Sequence, residues 1–218
     1  MQEYKKRFIE FMVEAGVLTF GDFVTKSGRR TPYFVNTGKY DNGAQMVQLG
    51  RFYARALRDA LGEDFDCLFG PAYKGIPLAV AAGMVLHLEY DHSVGVCFNR
   101  KEAKDHGEGG TLVGHIPQAG ERVVIVEDVT TAGTSVRESM PLLRSLGNID
   151  VRALVVSVDR MERGLTERGA LVELEEEFGI RSLSIVDLSE IVEYLHNRDI
   201  SGHVLIDDRI KEKIDEYR

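Results

Sequence analysis

The chain has 218 residues, room for one large α/β domain or for a core with a small appendage. It carries 27 basic against 35 acidic residues, a net charge of −8, and no block of basic residues, so non-specific nucleic-acid binding is disfavoured. No apolar run approaches the length of a membrane span, and the mixed-charge segment from Met1 to Glu10 does not read as a signal peptide. The two cysteines, Cys67 and Cys97, make neither a disulfide framework nor a zinc site, and the expectation is a soluble cytoplasmic protein with buried free thiols.

Tyr4 to Ala15 reads as an amphipathic helix with Phe8, Ile9, Phe11, Met12 and Val13 as its apolar set and Gly16 as its stop. Two strand-like runs follow, Phe20 to Thr25 and Tyr33 to Asn36, joined at Ser27-Gly28-Arg29-Arg30 as a hairpin. Lys26 stands at that turn, where a solvated lysine is equally natural. Ala44 to Leu61 is a second helical pattern. Phe65 to Phe69 is a short strand that runs into a Gly/Pro loop, Gly70 to Pro77, and then a small-residue helix, Leu78 to Leu86. Such a loop exposes backbone N–H groups, and Lys74 adds a positive charge; a plain strand-to-helix connection fits as well.

Ser93 to Phe98 is a third strand. The segment after it, Asn99 to Gly110, has no apolar side chain larger than alanine and three glycines in its last four positions. It cannot bury itself, so the expectation is a segment mobile when empty. It is either a plain surface loop or a lid whose Arg100, Lys101, Lys104 and His106 close over an anion.

Arg122 to Ser135 is the richest stretch. Val123 to Val126 is an unbroken β-branched run, which suits a strand buried on both faces. Glu127 and Asp128 follow at once. Val129, Thr130, Thr131, Ala132, Gly133, Thr134 and Ser135 then lead into a helical pattern holding Met140, Leu142, Leu143 and Leu146. In an open parallel sheet, ligands bind beyond the carboxyl ends of the strands. A turn of small residues at a helix start suits a phosphate, because the first N–H groups are unpaired and the dipole is positive there. Two carboxylates would repel that phosphate, so they face another part of the ligand, such as sugar hydroxyls or a metal ion. A phosphorylated sugar satisfies both halves; an ordinary N-capped helix after a buried strand satisfies the bare pattern. The stretch lacks a P-loop lysine and does not match G-x-G-x-x-G.

Val151 to Val158 is a further buried strand. Arg160 stands just past its end, where a forked guanidinium suits a carboxylate ligand, or else an ion pair with Asp159 or Glu162. Leu171 to Phe178 reads as a helix, Ser182 to Val186 as a last strand, and Leu188 to Leu195 and Asp207 to Tyr217 as helices. His87, His92, His115, His196 and His203 show no metal spacing. Strands alternate with helices over much of Phe65 to Val186, which argues for a mostly parallel sheet with helices on both faces.

Val123 to Ser135 resembles the phosphoribosyl-pyrophosphate (PRPP) motif of type I phosphoribosyltransferases. The runs 69–77, 100–110, 26–34 and 159–164 extend the resemblance to the orotate phosphoribosyltransferase family over nearly the whole chain. It implies an α/β fold with a mostly parallel central sheet flanked by helices, a small N-terminal hood and a flexible lid loop. The chain would be one phosphoribosyltransferase domain, with about 1–40 as the hood, packed over the strand ends, and about 65–187 as the core sheet. It implies catalytic roles for Lys26, Lys104, Asp105 and His106. PRPP would contact Lys26, Tyr73, Lys74, Arg100, Lys101, Lys104 and His106, with Glu127 and Asp128 on the ribose hydroxyls and Val129 to Ser135 around the 5′-phosphate. Orotate would contact Lys26, Phe34, Val35, Thr131 and Arg160. Mg²⁺ would be held mainly through PRPP, with no direct protein ligand. The resemblance implies a homodimer in which Lys101 reaches the neighbouring site, with no nucleic-acid or membrane partner. Many members have Asp where this chain has Glu127. The competing readings are a purine phosphoribosyltransferase of the same fold and a PRPP-binding regulator without catalysis.

Overall fold

The computed structural model describes residues 1–24, 30–104, 110–162, 164, 166 and 168–217, and of residues 103 and 104 it describes the backbone. The elements in chain order are α1 (Glu3–Glu14), β1 (Leu18–Val24), β2 (Arg30–Val35), a 3-10 turn (Thr37–Lys39), α2 (Gly43–Leu61), β3 (Cys67–Gly70) and α3 (Gly75–Tyr90). Next come β4 (Gly95–Lys104), β5 (Gly110–Gly114), β6 (Arg122–Val126), α4 (Thr134–Arg144), β7 (Asp150–Asp159) and α5 (Ala170–Phe178). The chain closes with β8 (Arg181–Asp187), α6 (Leu188–Leu195), β9 (Asp199–Ile200), β10 (His203–Val204) and α7 (Asp208–Tyr217). Two compact units form: Met1–Gln45 with Val186–Arg218, and Met46–Ile185.

In the first unit, α1 stops at a Schellman turn. Gly16 takes φ 65°, its N–H donates to the Val13 carbonyl and the Val17 N–H to the Met12 carbonyl. β1 and β2 pair antiparallel, from Leu18 opposite Val35 to Val24 opposite Arg30; the expected turn at 25–29, with Lys26, lies outside the described residues. The C-terminal helices complete this unit. A capping box of Asp187 and Glu190 starts α6, the Lys5 ammonium reaches Glu190 at 2.7 Å, and the Tyr33 and Tyr217 rings meet edge-on at 5.9 Å. Phe8, Ile9, Met12, Tyr33, Leu195 and Ile214 are buried among these elements.

The second unit holds a six-stranded sheet in the order β5-β4-β3-β6-β7-β8. β3 pairs parallel with β4 and β6, and β6 with β7, while β5 pairs antiparallel with β4. Alternation along the strands divides the faces. Phe69, Ile125, Leu154 and Val156 form one cluster with Met140 and Leu143 of α4 and Leu171 and Leu174 of α5. Leu68 and Val96 turn to α3, where a Cβ at Gly83 would touch both. Helices on both faces, as the alternating pattern predicts, follow from runs that are apolar at every position. Cys67 and Cys97 are free and buried, and burial pushes the Cys97 thiol up to about 11.

Two expectations need correction. The helix expected from Leu78 begins at Gly75, so the loop after β3 is only 71–74. Pro77 is tolerated because the first turn needs no N–H from it. Of the segment from Asn99 to Gly110, expected as a lid or a plain surface loop, the described residues 99–104 and 110 are strand. β4 runs on to Lys104 and pairs with β5, Asn99 opposite Leu112 and Lys104 opposite Gly110, with an irregular register between them. β5 pairs with its backbone at Asn99 and Lys104, and Leu112 packs against the core, so the strand needs no apolar side chain of its own. Asp105, His106 and the rest of 105–109, the expected lid tip, lie outside the described residues.

Candidate active site

The strand order reverses at one point. β3 leads through α3 to β4 on one side, and β6 leads through α4 to β7 on the other. The crevice outside the carboxyl ends of β3 and β6 is therefore a topological switch point, where open α/β sheets bind ligands. The loops at these two strand ends approach closely. A Cβ at Gly75 would lie 2.7 Å from the Val126 carbonyl, and one at Gly70 would lie 2.3 Å from the Gly75 carbonyl. Only glycine at both positions lets the 71–74 loop settle against the end of β6. The Ala72 N–H is held by the Asn99 side chain of β4 at 2.8 Å.

Glu127 and Asp128 sit at the end of β6, each 6% exposed. Their backbone is fixed from both sides. The buried Tyr53 hydroxyl of α2 donates to the Glu127 carbonyl at 2.6 Å, and the Ser157 hydroxyl and N–H of β7 donate to the Asp128 carbonyl at 2.5 and 2.8 Å. The Lys74 ammonium lies 2.9 Å from the Asp128 carboxylate, so the two loops meet as a cation on an acid. Burial pushes the Glu127 carboxyl up to about 7; a hydrogen bond from the Ser135 hydroxyl opposes this and the charge of Asp128 adds to it. Two adjacent acids in a shared, nearly dry place thus differ in their partners: Asp128 has a lysine, Glu127 a hydroxyl.

Beyond them, Val129 bridges to Val158 and ends the ladder. The Thr130 hydroxyl accepts from the Gly133 N–H at 2.9 Å, which closes the small-residue turn. Gly133 takes φ 69° immediately before α4 and carries no side-chain cap. A Cβ there would meet the Leu174 side chain at 2.7 Å. Thr131 is exposed, Ala132 half-buried, and Thr134 and Ser135 form the first residues of α4. The strand, acid pair, small-residue turn and helix are all where the sequence pattern puts them.

Tyr73 projects from the β3 loop with 71% of its surface exposed. Arg100, on β4, donates to the Gly110 carbonyl across the hairpin at 3.1 Å. The Lys101 ammonium is 3.7 Å from Glu138 of α4. Arg160 pairs with Glu162 at 2.7 Å, one of the two acids its neighbourhood offered. Phe34 and Val35 belong to the first unit, on β2; Phe34 is 41% exposed and its ring stands 6.0 Å from that of Phe23. Sequence reasoning missed Tyr53 and Ser157, which read as ordinary core residues. It also missed Arg137 and Glu173, whose charges fall on unremarkable helical positions.

Glu127 and Asp128 are oxygen donors of the kind a hard cation takes, but Asp128 already pairs with Lys74, so a cation here would rest mainly on a ligand it arrives with. Among the described residues no cluster of three or more His, Cys, Asp or Glu forms a metal site. No helix among them is long and apolar enough to cross a membrane.

The acid pair and the glycine-bearing turn at the switch point lie within residues 36–181, which match the model of the phosphoribosyl transferase domain, so the class is a phosphoribosyltransferase. The chain is 57% identical over 217 residues to an orotate phosphoribosyltransferase of Clostridium acetobutylicum, covering 100% of this chain and 97% of that one. It is 58% identical over 217 residues to that of Lachnoclostridium phytofermentans, covering 100% and 96%. The solved orotate phosphoribosyltransferase of Francisella tularensis matches with a TM-score of 0.83 at 35% identity, over 97% of each chain. The chain belongs to the orotate phosphoribosyltransferase family.

Proposed function

We propose that this chain transfers the ribose 5-phosphate group of PRPP to orotate, giving orotidine 5′-phosphate and pyrophosphate, a step of de novo pyrimidine (UMP) synthesis. One observation carries the donor side: the buried Glu127–Asp128 pair, with Lys74 across it, beside a glycine-bearing helix start at the switch point. The full-length relatives at 57% and 58% identity support orotate as the acceptor.

In this reading pyrophosphate leaves the anomeric carbon and a ring nitrogen of orotate attacks it, through an oxocarbenium-like transition state. Glu127 and Asp128 accept hydrogen bonds from the ribose hydroxyls and favour the positive charge that develops on the ring. The turn from Val129 to Ser135 holds the 5′-phosphate. Tyr73 and Lys74 bind PRPP, Lys74 near its pyrophosphate, Arg100, Lys104 and His106 close over the pyrophosphate, and Lys26, Lys104, Asp105 and His106 serve the chemical step. Mg²⁺, carried mainly on PRPP, neutralises charge on the leaving group when bound. Phe34 stacks on orotate, Val35 bonds it through the backbone, and Thr131 and Arg160 complete its contacts. The Arg160–Glu162 pair fixes the guanidinium plane for that task. Closing the lid excludes water that would hydrolyse PRPP.

The two units act as one phosphoribosyltransferase domain in the cytoplasm, and the active form is a homodimer. α3 supports the dimer: it is apolar on every side, yet Val80, Met84 and Leu88, four residues apart, are 39%, 59% and 74% exposed. A helix apolar all round belongs inside an assembly. The exposed Lys101–Glu138 pair holds Lys101 weakly, leaving it able to exchange this partner for the neighbouring site.

The test is a spectrophotometric assay with orotate, PRPP and Mg²⁺, repeated with hypoxanthine and adenine. Loss of orotate absorbance that requires PRPP is the expected result. Turnover with a purine alone would remove the roles given to Phe34, Thr131 and Arg160. PRPP binding without turnover on any base would make the chain a sensor.

A further inference from the structure

We infer that Arg137 and Glu173 are a positioning pair for the donor's 5′-phosphate, with α5 as the brace of the turn that opens α4. The inference rests on the reading that Val129 to Ser135 takes that phosphate. Glu173 is a charged residue only 8% exposed, in the first turn of α5. An acid buried to that degree is costly unless its oxygens are engaged. One oxygen accepts from both the N–H and the hydroxyl of Thr166, each at 2.6 Å, and the other faces the Arg137 guanidinium at 3.4 Å. Arg137 also pairs with Glu177, one turn along α5.

Arg137 reaches back to the cradle. Its Nε–H donates to the Ala132 carbonyl at 3.2 Å. The next N–H in the chain, that of Gly133, is already held by Thr130. Both ends of the Ala132–Gly133 peptide are therefore fixed, and the N–H groups of Thr134 and Ser135 follow from a peptide that cannot turn. The same helix braces the turn by packing, since Leu174, next to Glu173, fills the space that a Cβ on Gly133 would need. Glu173 likewise bars a side chain at Gly164, where a Cβ would lie 2.4 Å from its carboxylate. The Gly164 N–H closes on the Arg168 carbonyl at 2.7 Å. One buried carboxylate thus ties the phosphate turn after β6 to Gly164 and Thr166 of the segment after β7.

A guanidinium is needed because the carbonyl and the two carboxylates are met by three different nitrogens of one planar fork, Nε, Nη2 and Nη1, and an ammonium offers a single nitrogen. The residue need not touch substrate to matter, because a misplaced anion cradle loses hydrogen bonds that only geometry supplies.

The experiment measures binding of ribose 5-phosphate and, separately, of inorganic pyrophosphate by calorimetry, with thermal melts of every variant. Arg137→Ala should weaken ribose 5-phosphate about tenfold, the loss of one charge-assisted hydrogen bond, and leave pyrophosphate within about twofold. Arg137→Lys should restore part of the melt but little of the ribose 5-phosphate affinity. Glu173→Gln keeps an acceptor for Thr166 and removes the charge facing Arg137; its effect and that of Arg137→Ala should be less than additive in the double variant. Equal loss for both ligands, or a ribose 5-phosphate affinity that tracks the melt alone, would make the pair structural and overturn the inference. An unsubstituted chain that binds pyrophosphate but not ribose 5-phosphate would overturn the cradle reading, and the inference with it.

Discussion

The end of β6 and the β4–β5 hairpin lie in the same sheet and are built on opposite terms. The β6 end is flanked by β3 and β7, its acids are 6% exposed, and its carbonyls are held by Tyr53 and Ser157. The hairpin is an edge, and its strand ladder past Phe98 runs only between β4 and β5, with Lys101 exposed and an irregular register. Packing over-determines the first region; strand pairing, the packing of Leu112 and a few side-chain contacts carry the second. An enzyme of this kind needs both. Under the proposed function the ribose meets charges that do not reorganise, while the groups over the pyrophosphate let it in and out.

Four changes would break or sharpen that contrast. The largest effect is expected for Asp128→Asn. It removes the buried charge that the proposed function sets on the ribose and the ion pair with Lys74, so kcat/KM for PRPP should fall about a hundredfold or more in steady-state assays. A smaller loss would mean that the buried acids are scaffolding. Next come two glycines, both with positive φ but in different surroundings. Gly133→Ala meets Leu174 at 2.7 Å as well as backbone strain, and should cost about 3 kcal/mol in denaturant titrations. Gly110→Ala in the hairpin, with nothing within 4 Å, should cost only about 1 kcal/mol. Equal costs would erase the packing difference between the regions.

The third change is pH. Burial raises the Glu127 carboxyl from its ordinary 4.5 to about 7, so it is neutral on the acid side of 7 and charged above. PRPP affinity should therefore rise as pH passes upward through about 7, and Glu127→Gln should remove that inflection while any step due to PRPP's own phosphates persists. Stability moves the other way: the contribution of a raised acid is full below 4.5 and is lost as pH rises to about 7, so the melt of the unsubstituted chain should fall across that window relative to Glu127→Gln. The smallest effect is expected for Lys101→Ala. Its pair with Glu138 is exposed and 3.7 Å apart, so stability should change by less than about 0.5 kcal/mol, while turnover drops if the lid role holds. A large loss of stability would mean that the hairpin is as firmly packed as the β6 end.

Much of this could be read along the chain. A strand apolar at every position, two acids and a run of small residues before a helix are local signals, and the β6–α4 unit stands where they put it. The hairpin was misread because its outer strand has no apolar periodicity; it exists through pairing with β5, a contact between segments. The early start of α3 was missed because Gly75 and Pro77 signal a loop locally, though a helix tolerates both in its first turn. Tyr53, Ser157, Arg137 and Glu173 carried no signal at all. Their roles depend on hydroxyls and charges from distant elements meeting the strand end, and a single sequence holds no record of such meetings.

The sequence by itself determined the chemistry at the end of β6: acids, hydroxyls and glycine in an order that suits a sugar phosphate, because backbone geometry and side-chain chemistry are fixed by neighbours in the chain. Only the tertiary structure decided what that chemistry rests on. The joining of the N-terminal segment with the C-terminal helices in one unit, the Lys74–Asp128 contact across two loops and the bracing of Gly133 by α5 all join residues far apart in the chain. Such contacts form because burial, close packing and the pairing of charges are satisfied over the whole molecule at once.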